Sequence, residues 1–244
     1  MESATSEDRL LDGKVRLLQP LAGYRAAIDP VFLAAAIAAK PGARVLDAGC
    51  GAGAALLCLA ARLPEVAITG IEIDPAICHL AQRNVELNGL SSRVTIQQGS
   101  IASPPPSLAN DRFDQVMVNP PYLADGTPPP DSGKAGAHME GGVGIEEWVS
   151  ACLALLRPKG TLTLIHRADR LDALMAALHG PAGEVSVLPL WPMAGKPAKR
   201  VLVRARKGVG GPASLLPGLA LHQSDGSYTP AAEAILRAGQ ALNF

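Results

Sequence analysis

Two short stretches of this chain place chemically useful residue types at meaningful spacings. The first is Asp47-Ala48-Gly49-Cys50-Gly51-Ala52-Gly53. Glycines at alternate positions permit a tight turn and let backbone N–H groups come close to a ligand. Dinucleotide sites use G-x-G-x-x-G with a helix N-terminus facing a pyrophosphate. Here the spacing is G-x-G-x-G, and an acid stands two residues before the first glycine. That acid suits a cationic amino-acid ligand better than a pyrophosphate. Downstream, Ile71-Glu72-Ile73-Asp74 closes a β-branched run. A carboxylate at such a strand end can accept both hydroxyls of a ribose.

The second stretch is Asn119-Pro120-Pro121-Tyr122. Two consecutive prolines cannot continue a central strand, and they stiffen the backbone. The amide before them and the aromatic after them are thereby held at a strand end. A planar exocyclic nitrogen is a weak nucleophile because its lone pair is conjugated. The Asn119 side-chain oxygen can accept one of its N–H groups and the Pro120 carbonyl the other. Together they favour a pyramidal nitrogen that can attack an electrophile in line. Pro121 completes the rigid turn, and Tyr122 can stack on the acceptor's π system. This chemistry needs no metal and no covalent protein intermediate.

Such residues need a scaffold that brings strand ends together. From Ala43 the chain alternates strand-like and helix-like segments. Val45 to Asp47, Val66 to Ile73, Val94 to Ile96, Phe113 to Val118 and Thr161 to Ile165 read as strands. Ala54 to Leu63, the segment from Asp74-Pro75 to Asn88-Gly89, Ile145 to Leu156 and Leu171 to Leu178 read as helices. Val185 to Leu190 and Arg200 to Ala205 are two more strands. A loop joins them rather than a helix, so the last pair is expected to be antiparallel. Upstream, Val15 to Pro20 is a strand or a loop. Asp29-Pro30 looks like an N-cap and first helical residue for a helix over Val31 to Ala39. The expected fold is α/β: a Rossmann-like, doubly wound, seven-stranded sheet, mostly parallel with an antiparallel last strand. Residues 1–14 are expected to be frayed and 15–244 to form a single domain with extensions at both ends. Leu123 to Gly144 is a long Pro/Gly-rich stretch of the kind that serves as a functional loop. The tail carries a turn at Asp225-Gly226 and a short helix opened by Thr229-Pro230.

The D-x-G-x-G-x-G form resembles motif I of class I methyltransferases. In that family the loop cradles S-adenosylmethionine and the acid after the second strand holds the ribose. By position, the resemblance assigns cofactor contacts to Asp47, Gly49, Cys50, Gly51, Gly53, Glu72 and Ile73. The family often has an acid after the third strand; this chain has Gly99-Ser100-Ile101, so Ser100 and Ile101 take that place. Asn119 faces both cofactor and acceptor in this scheme. The Asn119–Tyr122 tetrad resembles that of amino-methyltransferases acting on adenine N6, guanine N2 or glutamine N5. Three further stretches are similar to the bacterial family that methylates adenine N6 in valine tRNA. They are Gly23 to Asp29, which in that family helps cover the cofactor, Lys196 to Val203, and Leu221 to Thr229.

Composition adds bounds. Lys+Arg and Asp+Glu each number 22, so no global field attracts nucleic acid or anionic membrane. An RNA substrate then requires a local basic patch. Lys196, Lys199, Arg200, Arg204, Arg206 and Lys207 supply one, with Lys196, Lys199, Arg200 and the upstream Arg25 as candidate RNA contacts. The alternative for this strip is a solvated strand face. Cys50, Cys58, Cys78 and Cys152 form no C-x-x-C pair and read as reduced thiols of a cytoplasmic protein. Met1 to Arg9 lacks the apolar core of a signal peptide, and Val31 to Ala39 is too short to span a bilayer.

The implied reaction is therefore S-adenosylmethionine-dependent N-methylation, with adenine N6 of tRNA first. Guanine N2 of ribosomal RNA and glutamine N5 of a protein are alternatives. Release-factor enzymes usually carry a separate N-terminal helical domain, and only about 40 residues precede the first core strand here. A non-catalytic RNA- or nucleotide-binding module is a third reading, against which the intact tetrad argues. Oligomeric state is open between monomer and homodimer.

Overall fold

Short buried strands dominate the centre of the computed structural model, which describes residues 4–22, 25–109, 112–121 and 144–244. The first pair, β1 (Thr5–Leu10) and β2 (Val15–Pro20), forms an antiparallel hairpin apart from the main sheet. Residues 5–10 are thus ordered rather than frayed. The sequence reading missed this because strand β1 alternates polar and half-buried residues without a strong apolar signal. Leu11, Val15 and Leu17 anchor the hairpin in the core.

Helix α1 (Asp29–Ala36) follows, shorter than expected at its C-terminal end. Its N-cap is Ile28, and no side chain caps it. Asp29 lies inside the first turn, where its acid complements the helix dipole, and its carboxylate pairs with Arg200 at 2.9 Å. Then come β3 (Arg44–Ala48), α2 (Ala54–Arg62), β4 (Ala67–Glu72), α3 (Pro75–Leu87) and β5 (Val94–Gln98). Asp74 does cap α3 as expected, accepting from the backbone N–H groups of Ala76 and Ile77. A short helix α4 (Pro106–Ala109) occupies the proline-rich stretch before β6 (Phe113–Val118). Beyond lie α5 (Ile145–Leu155), β7 (Leu156–Arg167), α6 (Leu171–Leu178), β8 (Ala182–Met193) and β9 (Arg200–Lys207). The tail adds β10 (Ser214–Leu215), β11 (Leu219–His222) and α7 (Pro230–Glu233), with Thr229 as its N-cap.

The main sheet runs β10-β8-β9-β7-β6-β3-β4-β5, with β11 also on β8. Strands β5, β4, β3, β6 and β7 are mutually parallel. Strand β9 is antiparallel to both β7 and β8. The cause is the connection: a short turn from β8 permits only an antiparallel neighbour, whereas parallel strands need a crossover. The seven strands expected from the sequence are all present. The two short additions, β10 and β11, both pair parallel to β8.

Alternating residues divide the core between the two faces of the sheet. Val45, Ile68, Ile96, Met117 and Ile165 pack with α1, α2, α3 and the hairpin. Leu46, Ile71, Val116, Val118, Leu162 and Leu164 pack with α5 and α6. Burial of both faces explains why these strands are nearly continuous apolar runs.

Candidate active site

The parallel strands bring their C-terminal ends to one edge. In register, Ala48 of β3 lies beside Ile71 of β4 on one flank and Val118 of β6 on the other. Gly49 and Asn119 are therefore the next residues on adjacent strands, whose spacing is about 4.8 Å. This is the crevice where ligands of open α/β sheets bind. Glu72 ends β4 opposite Gln98 of β5, and Ser100 follows two residues beyond.

The glycine loop is built as a turn that only glycine tolerates at its key positions. Gly49, Gly51 and Gly53 have φ of 66°, 54° and 94°. A Cβ on Gly49 would also lie 2.8 Å from the Trp148 ring. Trp148 itself is buried and serves as packing under the loop. The Cys50 backbone N–H donates to Ile71 O at 2.9 Å, and Gly53 N–H donates to Cys50 O at 2.9 Å. Glu72, only 4% exposed, accepts from Gly51 N–H at 2.8 Å and from Asp74 N–H at 3.0 Å. A carboxylate has about four acceptor sites, so capacity for two ligand hydroxyls is left.

Asp47 is 3% exposed, and its Oδ2 accepts no hydrogen bond among the described residues. Burial pushes its carboxyl up to about 7; a Leu56 backbone hydrogen bond opposes this, and the Glu72 charge adds to it. A buried acid so poorly compensated fits a cationic ligand group, which would favour its charged form. Cys50 is buried, and burial, then Asp47 and Glu72, raise its thiol far above the ordinary range. It stays a neutral thiol whose backbone, not its sulfur, shapes the loop. Ile73, 41% exposed, presents an apolar side chain beside Glu72. Ser100 is half-buried and its Oγ accepts from Ala102 N–H at 3.3 Å. Ile101 is buried in the core with Ile71 and Leu108 rather than open to a ligand.

At the end of β6, Asn119 and Pro121 are half-buried and Pro120 is buried. Tyr122 and residues 123–143, over which the sequence suggests a functional loop, lie outside the described residues, as do Gly23 and Tyr24. His166, the penultimate residue of β7, lies level with Pro120 on the neighbouring strand and is 5% exposed. Burial lowers its pKa to about 4, helped by Arg170, Arg167 and Arg200. It is neutral near pH 7. Sequence reasoning passed over His166 because no spacing marked it; only the sheet register brings it alongside the tetrad.

The basic strip divides. Lys196 and Lys199 are exposed in the turn between β8 and β9. Arg200 pairs with Asp29, and Arg206 with Glu184 at 2.7 Å. Arg204 stacks on the Phe244 ring at 4.6 Å and donates to Phe244 O. Lys207 donates to Leu156 O at 2.8 Å. Arg25 donates to Ser6 Oγ, Pro20 O and Asp8, fastening the hairpin. Its guanidinium is engaged within the hairpin, with the side chain 35% exposed. Long cations with carbonyls and acids in reach bond to them, which a linear sequence does not reveal.

Among the described residues, no group of His, Cys, Asp and Glu is arranged to hold a metal ion. No helix there is long and apolar enough to cross a membrane.

Comparison with known proteins agrees with this geometry. Residues 39–178 match a family model described as a methyltransferase domain. A Yersinia pestis protein named tRNA1(Val) (adenine(37)-N6)-methyltransferase is 30% identical over 205 residues, covering 83% of this chain and 81% of that one. A Porphyromonas gingivalis protein of the same name is 34% identical over 156 residues, 62% of this chain. That match spans 61% of the Porphyromonas protein's own length, less than two thirds. The crystal structure of an Agrobacterium tumefaciens protein, described as a predicted O-methyltransferase, superposes with a TM-score of 0.72. It is 27% identical, and the match covers 88% of this chain and 98% of that one.

Proposed function

This chain belongs to the methyltransferase family, and on that premise we propose that it transfers a methyl group from S-adenosylmethionine to N6 of an adenine in tRNA. One observation carries the reading: Gly49 and Asn119 follow paired residues of adjacent parallel strands. A donor held by the glycine loop and an acceptor held by the tetrad then meet over neighbouring strand ends.

The cofactor supplies an electrophilic methyl on a sulfonium. Asp47 offers its buried carboxylate to the cofactor's ammonium group, and the loop amides at Gly49, Gly51 and Gly53 leave room for close approach. Glu72 accepts from the ribose hydroxyls, Ile73 covers the cofactor's base, and Ser100 offers it a polar contact. Asn119 Oδ1 accepts one N–H of the acceptor amine and Pro120 O the other. This removes conjugation from the nitrogen as it attacks and holds it in line. A hydroxyl acceptor has only one hydrogen and would leave one of these acceptors unused, so the tetrad favours an amine. Pro121 fixes the turn. Tyr122 supplies the stacking face, a role carried over from the tetrad. Lys196 and Lys199 lie on the same sheet edge, just before the start of β9, and serve as phosphate contacts for the RNA. A structured tRNA must extrude its base into this site, at a cost of a few kcal/mol. Such a substrate places the enzyme in the cytoplasm.

Incubation with isotope-labelled S-adenosylmethionine and either total RNA or total protein, followed by nucleoside analysis, tests the reading. Label in N6-methyladenosine of tRNA is the expected result. Label in ribosomal guanine or in protein glutamine would reassign the substrate. Cofactor binding with no transfer to either pool would favour a binding module.

A further inference from the structure

Asn84 in the last turn of helix α3 and Asn88 at its C-cap stand four residues apart, on one face. Asn84 is fully buried. Its Oδ1 accepts from Leu18 N–H at 2.8 Å, and its Nδ2 donates to Leu18 O at 2.9 Å. Asn88 treats Arg16 alike, accepting from its N–H at 2.9 Å and donating to its carbonyl at 2.7 Å. The spacings match: four helical residues rise about 6 Å, and two strand residues span about 6.6 Å. The two carboxamides thus imitate a neighbouring strand and satisfy the free edge of β2.

The twins differ in their second amide hydrogen. That of Asn88 goes to Asn84 O, within its own helix, at 2.7 Å. That of Asn84 goes to Ala52 O at 2.9 Å, inside the glycine loop. Ala52 sits between Gly51 and Gly53, both at positive φ. Glu72 fixes the Gly51 N–H from one side, and Asn84 fixes the Ala52 carbonyl from another. Glycines make this loop cheap to distort, so outside tethers must hold its shape.

We propose that Asn84 is a positioning residue for the cofactor loop, and that through it the N-terminal hairpin forms part of the cofactor-binding unit. The inference rests on the reading of the glycine loop as the S-adenosylmethionine site. Because linkage is reciprocal, ordering of the loop by ligand must also steady β2 at Leu18.

The test uses S-adenosylhomocysteine as probe, with the full chain. Calorimetry should show Asn84→Ala binding it about tenfold more weakly, the loss of one to two tethering hydrogen bonds. Asn88→Ala, which loosens the same hairpin without touching the loop, should stay within about twofold. Hydrogen exchange on the unaltered chain provides a readout that needs no variant: saturating ligand should slow the Leu18 amide several-fold. Equal affinity in Asn84→Ala, equal weakening in both variants, or a Leu18 amide indifferent to ligand would each overturn the inference. If the unaltered chain bound no S-adenosylhomocysteine, the cofactor reading itself would fall, and this inference with it.

Discussion

The two halves of the strand-end edge are built on opposite electrostatic plans. Around β3, β4 and the glycine loop, the buried groups are acids. Asp47 and Glu72 are each under 5% exposed; backbone amides bond to Glu72, whereas Asp47 Oδ2 has no partner among the described residues. Around the end of β7 and the start of β9 cluster Arg167, Arg170, Arg200, Lys196 and Lys199: Arg167 and Arg200 are ion-paired with Asp169 and Asp29, Lys196 and Lys199 are exposed, and the three arginines help keep the buried His166 neutral. A net charge of zero over the whole chain conceals this division. The acidic half suits a small cationic donor, and the basic half suits a polyanionic acceptor. Asn119 stands on the border between them. Neutral overall charge is therefore no argument against RNA; the field is local.

Substitutions on each side should separate the halves. The largest effect is expected at the border. Asn119→Ala should lower turnover by about 10²–10³-fold, the scale of one lost transition-state hydrogen bond, while calorimetry shows S-adenosylhomocysteine affinity unchanged. Equal turnover would remove Asn119 from the chemistry. Next in size, reversing both lysines (Lys196→Glu with Lys199→Glu) should weaken tRNA binding more than tenfold and cut the salt slope by about two. Filter binding across a salt series measures this, and cofactor affinity should not move. On the acidic side, Glu72→Gln should weaken cofactor binding about tenfold, the range for a hydrogen bond to a charged group, without changing tRNA affinity. A loss of both affinities together would mean the two halves are not separable.

The smallest effect is a pH dependence of the acidic half. The Asp47 carboxyl lies at about 7 in the folded chain against an ordinary 3.8. The folded state therefore binds more protons than the unfolded state between these values. Stability from this group falls as pH rises from about 4 to about 7 and is then level. Affinity for a ligand ammonium runs the other way. It should fall by up to about tenfold per unit as pH drops below about 7, and Asp47→Asn should flatten the profile. A flat profile in the unaltered chain would show that Asp47 does not meet a cation.

Much of the cofactor half is legible from the sequence because its determinants are local. Asp74-Pro75 starts a helix through its own side chain and ring, and the alternate glycines of residues 49–53 take φ values that other residues resist. The acceptor half was legible at the tetrad, where two prolines dictate a strand end. It was less so at its cations. Arg25, Arg204 and Arg206 looked like ligands for phosphate, yet their partners are Asp8, Phe244 and Glu184, remote in sequence. Asp29 looked like a cap, and its partner is 171 residues away. The β1–β2 hairpin escaped notice because its edge is satisfied by two asparagines of a helix, not by a patterned strand.

Sequence alone determined the order of strands and helices, the turn at Gly49 to Gly53 and the stiff corner at Asn119 to Pro121. These depend on propensity, periodicity and backbone stereochemistry, which act over a few residues. Tertiary structure alone decided that Gly49 and Asn119 are neighbours, that His166 lies on the strand next to the tetrad and that Asn84 ties the hairpin to the loop. Those facts depend on the pairing of distant strands and on burial. Contacts across 32 or more residues leave no periodic trace in the chain.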